Sequence, residues 1–432
     1  MRPTQMPPRK RRAAPEFSCP LGGRTTAVVG LGVLMSFSMR SVELFAGAGG
    51  LAMGMGRAGF HHAAVVEWDH DSCETFRFNQ RRQTQDVAKW PLFEGDARAF
   101  DYSTVGGDVM VVSGGPPCQP FSMGGKHRGP MDERDMFPQA VRAVRELRPK
   151  AFIFENVKGL LRQSFASYFE YIHLQLSYPD RTRGKDESWE QHRAWLERHH
   201  TGPHDAAGYR VVYRLLNAAD HGVPQRRERV FLVGFRSDLN VRWSFPEATH
   251  SEGTLLRDQW ITGDYWNRHQ VARHDRPGLP ARLESRIARL RDGDMFIDQP
   301  WSTVRDAISD LPDPVMNPRN NVANHDFNPG ARSYPGHTGS PLDEPAKTLK
   351  AGDHGVPGGE NMLLSPDGAI RYFTVREAAR LQTFPDDYVF CGSWSESMRQ
   401  LGNAVPVRLA EAIADSVATT LRNAARRDLK AA

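Results

Sequence analysis

Short apolar runs, separated by turns and amphipathic segments, fill the first half of the chain. Four of them predict strands: residues 41–45 (SVELF), 63–67 (AAVVE), 108–113 (DVMVVS) and 151–154 (AFIF), of which the last two are expected to be buried. Apolar residues at helical spacing predict a core-packed helix between the last two strands: Met136, Phe137, Val141, Val144 and Leu147. Strands that alternate with helices favour an open α/β sheet, in which ligands bind beyond the carboxyl ends of the strands.

The pattern becomes less regular in the second half. Residues 209–216 and 230–233 predict two more strands, after which residues 236–370 are richer in Pro, Gly, Asn, His and Trp. We interpret 39–235 as a first domain with a charged surface insertion at 179–207, and 236–370 as a smaller second domain. Helices are expected at 280–291 and at 302–311, the latter with Ser302 as its N-cap.

Residues 371–424 are predicted to form the C-terminal part of the fold. A helix at 374–381 is followed by a final amphipathic helix through about Leu421, which we expect to pack back on the first domain. At the other end, residues 1–38 combine a basic stretch (PRKRR) with a weakly apolar run that leads directly into the first strand. We interpret them as a disordered extension, or as an over-long reading frame that truly begins at Met35 or Met39.

Composition narrows the class of protein. The 432 residues carry a net charge of +5 with a pI near 9.0, which mildly favours a polyanionic partner. The four cysteines are widely separated and form no CxxC pair, which argues against a disulfide framework or a zinc site and fits a reducing cytosol. The sequence has no apolar stretch of membrane-spanning length. We therefore expect a cytoplasmic protein.

Cys118 lies in an unusual setting, the stretch GGPPCQPFS of residues 114–122. Prolines at this density are excluded from helix interiors and central strands, so Cys118 is expected on a stiff loop just beyond the 108–113 strand. A thiol at that edge of the sheet is positioned to act as a nucleophile. The alternative is a buried structural cysteine, which is the commoner state of a free cysteine.

Three other strand ends suggest a nucleoside-containing cofactor. The pattern Gly47-x-Gly49-x-x-Ala52 fits a glycine-rich turn that enters a helix, although a plain tight turn explains it nearly as well. Glu67 follows about 20 residues later, where an acid recognises ribose hydroxyls. Trp68 is a candidate for stacking on an adenine, and Asp96, one βα unit further on, for accepting from its amino group.

Further polar residues follow the later strands. Glu155 ends the 151–154 strand beside apolar residues, where a carboxyl group can have a raised pKa and act as an acid. Arg227 and Arg229 enter the 230–233 strand at a spacing of two and are expected to point into the same cleft. Residues 122–133 are rich in glycine and basic residues, typical of either a closing loop or an ordinary surface loop.

In this order the motifs resemble those of the DNA (cytosine-5) methyltransferases. The matching segments span nearly all of residues 41–420: FAGAGG (45–50), PPCQPFS (116–122), ENV (155–157), QRRER (225–229), TVREAARLQTFPDDY (374–388) and QLGNAVP (400–406). The resemblance implies a Rossmann-like, doubly wound and mostly parallel sheet that binds S-adenosylmethionine, with 236–370 as a target-recognition domain and DNA in the cleft between. Residues 1–38 and 179–207 fall outside the shared pattern.

The resemblance also implies roles for individual residues. Cys118 would add to C6 of a flipped-out cytosine, Glu155 would protonate or hydrogen-bond N3, and Arg229 would support O2 with Arg227 nearby. The cofactor would contact Phe45, Ala46, Gly47, Gly49, Gly50, Leu51, Glu67, Trp68, Asp96, Pro116, Met136, Asn403 and Val405. DNA would contact the loop residues Gln119, Ser122, Lys126 and Arg128. No metal is implied.

The expected function is sequence-specific methylation of duplex DNA at cytosine C5. Such a chain is expected to act as a monomer and to protect host DNA in a prokaryotic restriction–modification pair, with an independently acting endonuclease as its counterpart. Three alternatives stay open at this point: the same chemistry on tRNA, a catalytically silent DNA-binding regulator, and a nicotinamide-dependent oxidoreductase. The last leaves PPCQPFS, ENV and QRRER unexplained.

Overall fold

A seven-stranded sheet is the centre of the first part of the fold. The computed structural model describes residues 39–117, 135–200, 208–291, 298–333, 338–351 and 361–431. Within them the sheet consists of β1 (Arg40–Leu44), β2 (His61–Glu67), β3 (Leu92–Glu94), β4 (Val111–Gly114), β5 (Ala151–Val157), β6 (Tyr209–Asn217) and β7 (Glu228–Arg236). Each predicted strand is present, with ends that differ by a few residues.

The strand order is β3-β2-β1-β4-β5-β7-β6. Strands β1 to β5 pair in parallel, whereas β7 runs antiparallel to both β5 and β6. The chain therefore winds outward from β1 in one direction and then from β4 in the other, which is the doubly wound, mostly parallel arrangement predicted from the motifs. Ligands bind such sheets at the switch between the two halves, here the gap between β1 and β4.

Helices cover both faces of the sheet. They are α1 (Gly50–Arg57), α2 (His70–Arg81), α3 (Phe137–Leu147), α4 (Ala166–Ser177) and α5 (Trp189–His200). Phe137, Val141 and Val144 of α3 are buried in one cluster with residues of the sheet, as their spacing predicts. Leu147 is partly buried against the same cluster.

The predicted insertion contributes to the core. Residues 179–200 include α5, whose Leu196 is fully buried against α4. Tyr171 of α4 also hydrogen-bonds His192 of α5, with 2.8 Å between Oη and Nδ1. Most residues of 179–200 are exposed, as a surface insertion requires, but one face of α5 packs on α4 although charged residues dominate the sequence of this helix. Residues 201–207 lie outside the described part of the chain.

The remaining elements are short until the last helix. They are β8 (His250–Ser251), α6 (Glu252–Arg257), a π-helix (Asp258–Thr262), α7 (Asp264–Arg268), α8 (Ala281–Arg291), β9 (Gln299–Pro300), α9 (Val304–Ile308), β10 (Ser340–Pro341), β11 (Met362–Leu364), β12 (Ile370–Tyr372), α10 (Val375–Leu381), α11 (Trp394–Asn403) and α12 (Val407–Ala431). Strands β10, β11 and β12 form one small sheet, and β8 and β9 pair separately.

The N-cap predicted for the helix at 302–311 is wrong by one residue. Thr303 caps α9 in place of Ser302, through a capping box in which the Asp306 carboxylate accepts from the Thr303 amide at 2.8 Å. This reciprocal pair fixes the start of the helix. The helix ends at Ile308 and is shorter than predicted.

The final helix returns to the first domain, as its pattern predicts, and runs well beyond Leu421. It crosses α1 at Gly54, where an added Cβ would lie 2.4 Å from the Cβ of Ala410. Only glycine permits this approach. Leu409, Ile413 and Val417 of α12 complete the core on that face of the sheet.

Two features are absent from the described residues. None of the helices in that part of the chain is both long and apolar enough to cross a membrane. Across the same residues, no three His, Cys, Asp or Glu side chains lie together in a way that could hold a metal ion.

Candidate active site

The carboxyl ends of β1, β2, β4 and β5 meet at one edge of the sheet, because these strands are parallel. The predicted site residues lie at these ends: the glycine-rich turn after β1, Glu67 at the end of β2, Pro116 after β4 and Glu155 two residues before the end of β5. The first requirement of the predicted site, that these residues share one edge, is therefore met.

The turn after β1 depends on backbone conformations that glycine adopts freely. Gly47 and Gly49 have φ of 54° and 85°, and Phe45 is also left-handed at 56°. A Cβ on Gly47 would meet no atom within 4 Å, so this part of the turn is open. A Cβ on Gly50 would lie only 2.0 Å from the Val405 carbonyl oxygen. Gly50 therefore lets the segment after α11 approach the first turn of α1.

Glu67 holds the glycine-rich turn in place. Its carboxylate accepts from the amide of Gly47 at 2.6 Å, and from those of Trp68 and Asp69 at 2.9 and 2.8 Å. The side chain is almost completely buried. Burial raises the pKa of Glu67, while these hydrogen bonds oppose the shift. One carboxylate thus links the ends of β1 and β2.

The neighbouring candidates lie at the surface. The Trp68 indole is 74 % exposed, so it contributes little to the core and presents a free aromatic face beside Glu67. Asp96 is partly exposed and accepts from the Arg98 amide at 2.8 Å, which caps a short 3₁₀ turn. Ala46 and Leu51, by contrast, are buried beneath the turn.

The two ends of the Cys118 loop are fixed to the sheet domain. Asn156 Nδ2 donates to the Pro116 carbonyl at 2.9 Å, and the Met136 amide donates to the Pro117 carbonyl at 3.2 Å. Met136 is itself buried. The predicted nucleophile Cys118, and the loop residues Gln119, Ser122, Lys126 and Arg128, lie outside the described residues, as does the rest of the expected closing loop.

Glu155 and Arg229 form a buried ion pair, with 2.8 Å between Oε1 and Nε. They lie on adjacent antiparallel strands, where Glu155 pairs with Phe231 and Val157 with Arg229, so both side chains leave the same face. Burial raises the pKa of Glu155, and the positive charges of Arg229 and Arg227 oppose this. The net shift is upward, which favours a carboxyl group able to carry a proton.

Arg227 does not point freely into the cleft, and that part of the expectation is wrong. Its guanidinium is fully buried and donates to the carbonyls of Leu349 at 3.1 Å and Gly402 at 2.7 Å. Burial is the main cause of the lowered pKa of this side chain. Arg227 therefore ties the start of β7 to the end of α11, next to Asn403.

The last two predicted cofactor residues lie on that same segment. Asn403 is the final residue of α11 and is exposed, whereas Val405 is buried and contacts Gly50 as described. The segment after α11 and the first turn of α1 are thus in contact, although about 350 residues separate them in sequence.

Two supporting residues were missed by sequence reasoning. Asn156 carries the link to Pro116, and its place in the ENV motif was the available signal. Arg399 of α11 binds the carboxylate of Asp69, with 2.9 Å between Nη2 and Oδ2, and so braces the turn that follows Glu67. No local pattern indicated this pair, since the two residues belong to opposite ends of the chain.

The comparison of sequences gives a consistent result. The family model described as C-5 cytosine-specific DNA methylase matches residues 39–178 and 203–419. The type II methyltransferase M.NgoMIV of Neisseria gonorrhoeae is 31 % identical over 88 % of this chain and 98 % of its own length. M.AplI of Arthrospira platensis is also 31 % identical, over 88 % of this chain and 86 % of its own.

Solved structures agree on the fold. A chain described as a prophage-encoded DNA modification methyltransferase of E. coli superposes with a TM-score of 0.55 at 20 % identity, covering 89 % of this chain and all of that one. The Dnmt2 methyltransferase of S. pombe gives a TM-score of 0.50 at 16 % identity, covering 89 % and 99 %. With the family match over most of the chain, this protein belongs to the C-5 cytosine-specific DNA methylases and is a DNA (cytosine-5) methyltransferase.

Proposed function

We propose that this chain transfers a methyl group from S-adenosylmethionine to C5 of a flipped-out cytosine in duplex DNA, through a covalent bond between Cys118 and C6. The buried Glu155–Arg229 pair is the observation that carries this proposal. A proton-bearing carboxyl group beside a guanidinium, at the edge where Pro116 leads to Cys118, suits a base whose N3 gains a proton while O2 accepts hydrogen bonds.

The proposed reaction begins at C6 of the cytosine. The Cys118 thiolate adds to C6, and the displaced electrons reach N3, which takes a proton from Glu155. C5 is now the nucleophilic carbon of an enamine and attacks the methyl carbon of S-adenosylmethionine, whose C–S bond breaks. Glu155 takes back the N3 proton. A base then removes the C5 proton, and the electrons of that C–H bond re-form C5=C6 and expel the thiolate.

The residues around the glycine-rich turn fit S-adenosylmethionine, which supplies the methyl group. Glu67 lies where ribose hydroxyls would bind, Trp68 offers an open stacking face, and the space beside Gly47 is free. We assign the remaining contacts to Phe45, Ala46, Gly49, Gly50, Leu51, Asp96, Pro116, Met136, Asn403 and Val405. Arg227 is assigned to positioning, since its donors are used by Leu349 and Gly402.

DNA would lie between the sheet domain and residues 236–370, which we propose as the target-recognition domain. Gln119, Ser122, Lys126 and Arg128 would contact it from the Cys118 loop. A cytosine inside a duplex hides its C6, so the base must leave the stack before reaction. The type II names of the relatives support a role in protecting host DNA, with a cognate endonuclease as a separate protein and this chain acting as a monomer.

The test is Cys118→Ser in the purified full-length protein. We expect methyl transfer to duplex DNA to be abolished, while binding of S-adenosylmethionine and of DNA stays measurable. Undiminished turnover by this variant would overturn the covalent mechanism. A wild-type protein that methylates tRNA in preference to duplex DNA, in direct competition, would overturn the assigned substrate.

A further inference from the structure

Arg226 lies between two residues whose side chains are buried and bind backbone groups. Gln225 is buried, and its Oε1 accepts from the Leu349 amide at 3.0 Å, while Arg227 is held as described above. The Arg226 side chain turns outward and joins two carboxylates. Its Nη2 lies 3.2 Å from Glu252 Oε1 and 3.4 Å from Glu344 Oε2. Its guanidinium carbon lies 5.4 Å from the centre of the Trp301 ring.

Each of these glutamates has a second arginine partner on α8. Arg286 Nη1 lies 2.7 Å from Glu252 Oε2, and Arg282 Nη2 lies 2.8 Å from Glu344 Oε1. Arg282 and Arg286 are four residues apart on one helix and therefore share a face. The five side chains thus form a row of alternating charge, in the order Arg282, Glu344, Arg226, Glu252 and Arg286. Both ends of this row lie on α8.

The backbone and the side chain of Arg226 contact different parts of the chain. Its amide donates to the Ala346 carbonyl at 2.8 Å, and Thr348 Oγ1 donates to its carbonyl at 2.7 Å. These bonds hold residues 346–349 alongside the start of β7 whatever the side chain is. Of the groups on Arg226, the guanidinium is the one that reaches Glu252 of α6, and the two glutamates connect it to α8.

We propose that Arg226 is a positioning residue that fixes α6 and α8 relative to the Glu155–Arg229 pair. This inference rests on the proposed function, with residues 236–370 as the recognition domain. Arg226 lies three residues before Arg229, so the segment that leads into β7 carries the link to the recognition elements, and β7 itself presents one proposed catalytic side chain. Correct placement of DNA against α6 and α8 would then also place the target base at Glu155.

A substitution should alter this alignment without unfolding the chain. All five side chains are partly exposed, and exposed ion pairs each contribute little to the free energy of unfolding. The expected effect of Arg226→Gln is therefore on the affinity and selectivity for DNA rather than on the chemical step.

The experiment compares Arg226→Gln with a matched control, Arg57→Gln. Arg57 ends α1 and also joins two carboxylates from distant segments, Asp86 at 2.9 Å and Glu411 at 4.0 Å. Steady-state methylation of unmethylated plasmid DNA gives kcat and KM for each protein. Base-resolution mapping of the same plasmid gives the fraction of methylated sites that differ from the wild-type motif by one base.

We expect Arg226→Gln to raise KM for DNA about fivefold and to increase off-motif methylation, with kcat within about twofold of wild type. The double variant Glu252→Gln/Glu344→Gln should behave in the same way, and Arg57→Gln should match wild type in both readouts. Equal behaviour of Arg226→Gln and Arg57→Gln, or a fall in kcat alone, would overturn the inference. Failure of the proposed function would be seen separately, as wild-type protein that does not methylate duplex DNA.

Discussion

The Nε atom of Arg229 lies 2.8 Å from Oε1 of Glu155, and both side chains are close to 90 % buried. Their strands are antiparallel neighbours, so the sheet itself sets this separation. A guanidinium at this distance stabilises the carboxylate, while burial destabilises it more strongly. The mechanism we propose uses this raised pKa, because Glu155 would exchange a proton with the base.

Glu155→Gln should lower kcat for methyl transfer by about 10²- to 10⁴-fold, the usual contribution of a positioned acid. The pKa of Glu155 is raised, so its proton persists to a higher pH than in a free glutamate and is lost as pH rises through that value. The wild-type rate should therefore show a decline at high pH that the variant lacks. The pH profiles of single-turnover methyl transfer measure this, with the exposed Glu247→Gln as control. Identical profiles for Glu155→Gln and wild type would contradict the assigned role.

Gly50→Ala should impair both stability and cofactor binding. The added methyl group would lie 2.0 Å from the Val405 carbonyl oxygen, so the segment after α11 must move. Gly56→Ala on the same helix is the matched control, since its Cβ meets nothing within 4 Å and alanine stabilises helices by about 0.5–1 kcal/mol. Thermal unfolding and calorimetric titration with S-adenosylmethionine should separate the two. A Gly50→Ala protein that binds the cofactor normally would be the unexpected result.

Trp68→Ala should weaken cofactor binding while leaving the fold intact. The indole is mostly exposed, so its loss costs little packing, whereas stacking on a nucleobase contributes about 1–3 kcal/mol. The Kd for S-adenosylmethionine should rise about tenfold, with Tm unchanged. Trp195→Ala on α5 gives a comparison at a partly exposed tryptophan far from the predicted site in sequence. An unchanged Kd in Trp68→Ala would show that the ring does not stack on the cofactor.

Glu43→Gln should alter how stability depends on pH. Glu43 lies inside β1, accepts a hydrogen bond from Ser113, and has its pKa raised by burial to about 8. The folded state therefore holds a proton that the unfolded chain releases near pH 4.5, so this stabilising contribution is full below pH 4.5 and is lost as pH rises through 8.

The difference in Tm between Glu43→Gln and wild type should consequently grow in favour of the variant from pH 5 to pH 8. The exposed Glu284→Gln serves as control, with a difference from wild type that stays constant over the same range. A constant difference for Glu43→Gln as well would show that the pKa of Glu43 is the same in the folded and unfolded states.

The sheet and its edge were predictable from the sequence because parallel strands bring their carboxyl ends together. Once 41–45, 63–67 and 151–154 are recognised as parallel strands, the turn at Gly47, Glu67 and Glu155 are expected at the same edge of the sheet, where these strands end. Local patterns of this kind also located α3, α8 and α10 to within a few residues.

The supporting contacts were not predictable, since their partners are remote in sequence. Nothing near Arg227 indicates that its guanidinium is used by the carbonyls of Leu349 and Gly402. Glu43 lies within an apolar run and gives no sign that a titratable group is buried there. The charged sequence of α5 likewise hides the single face that packs on α4.

Base-resolution methylation mapping of genomic DNA tests the central claim most directly. The full chain and its Cys118→Ser variant would be expressed in a host that lacks DNA methylation. The account predicts methylated C5 at one short recurrent motif with the wild-type chain and none with the variant. Unmodified DNA from a wild-type chain that binds S-adenosylmethionine, or the same motif methylated by Cys118→Ser, would contradict it.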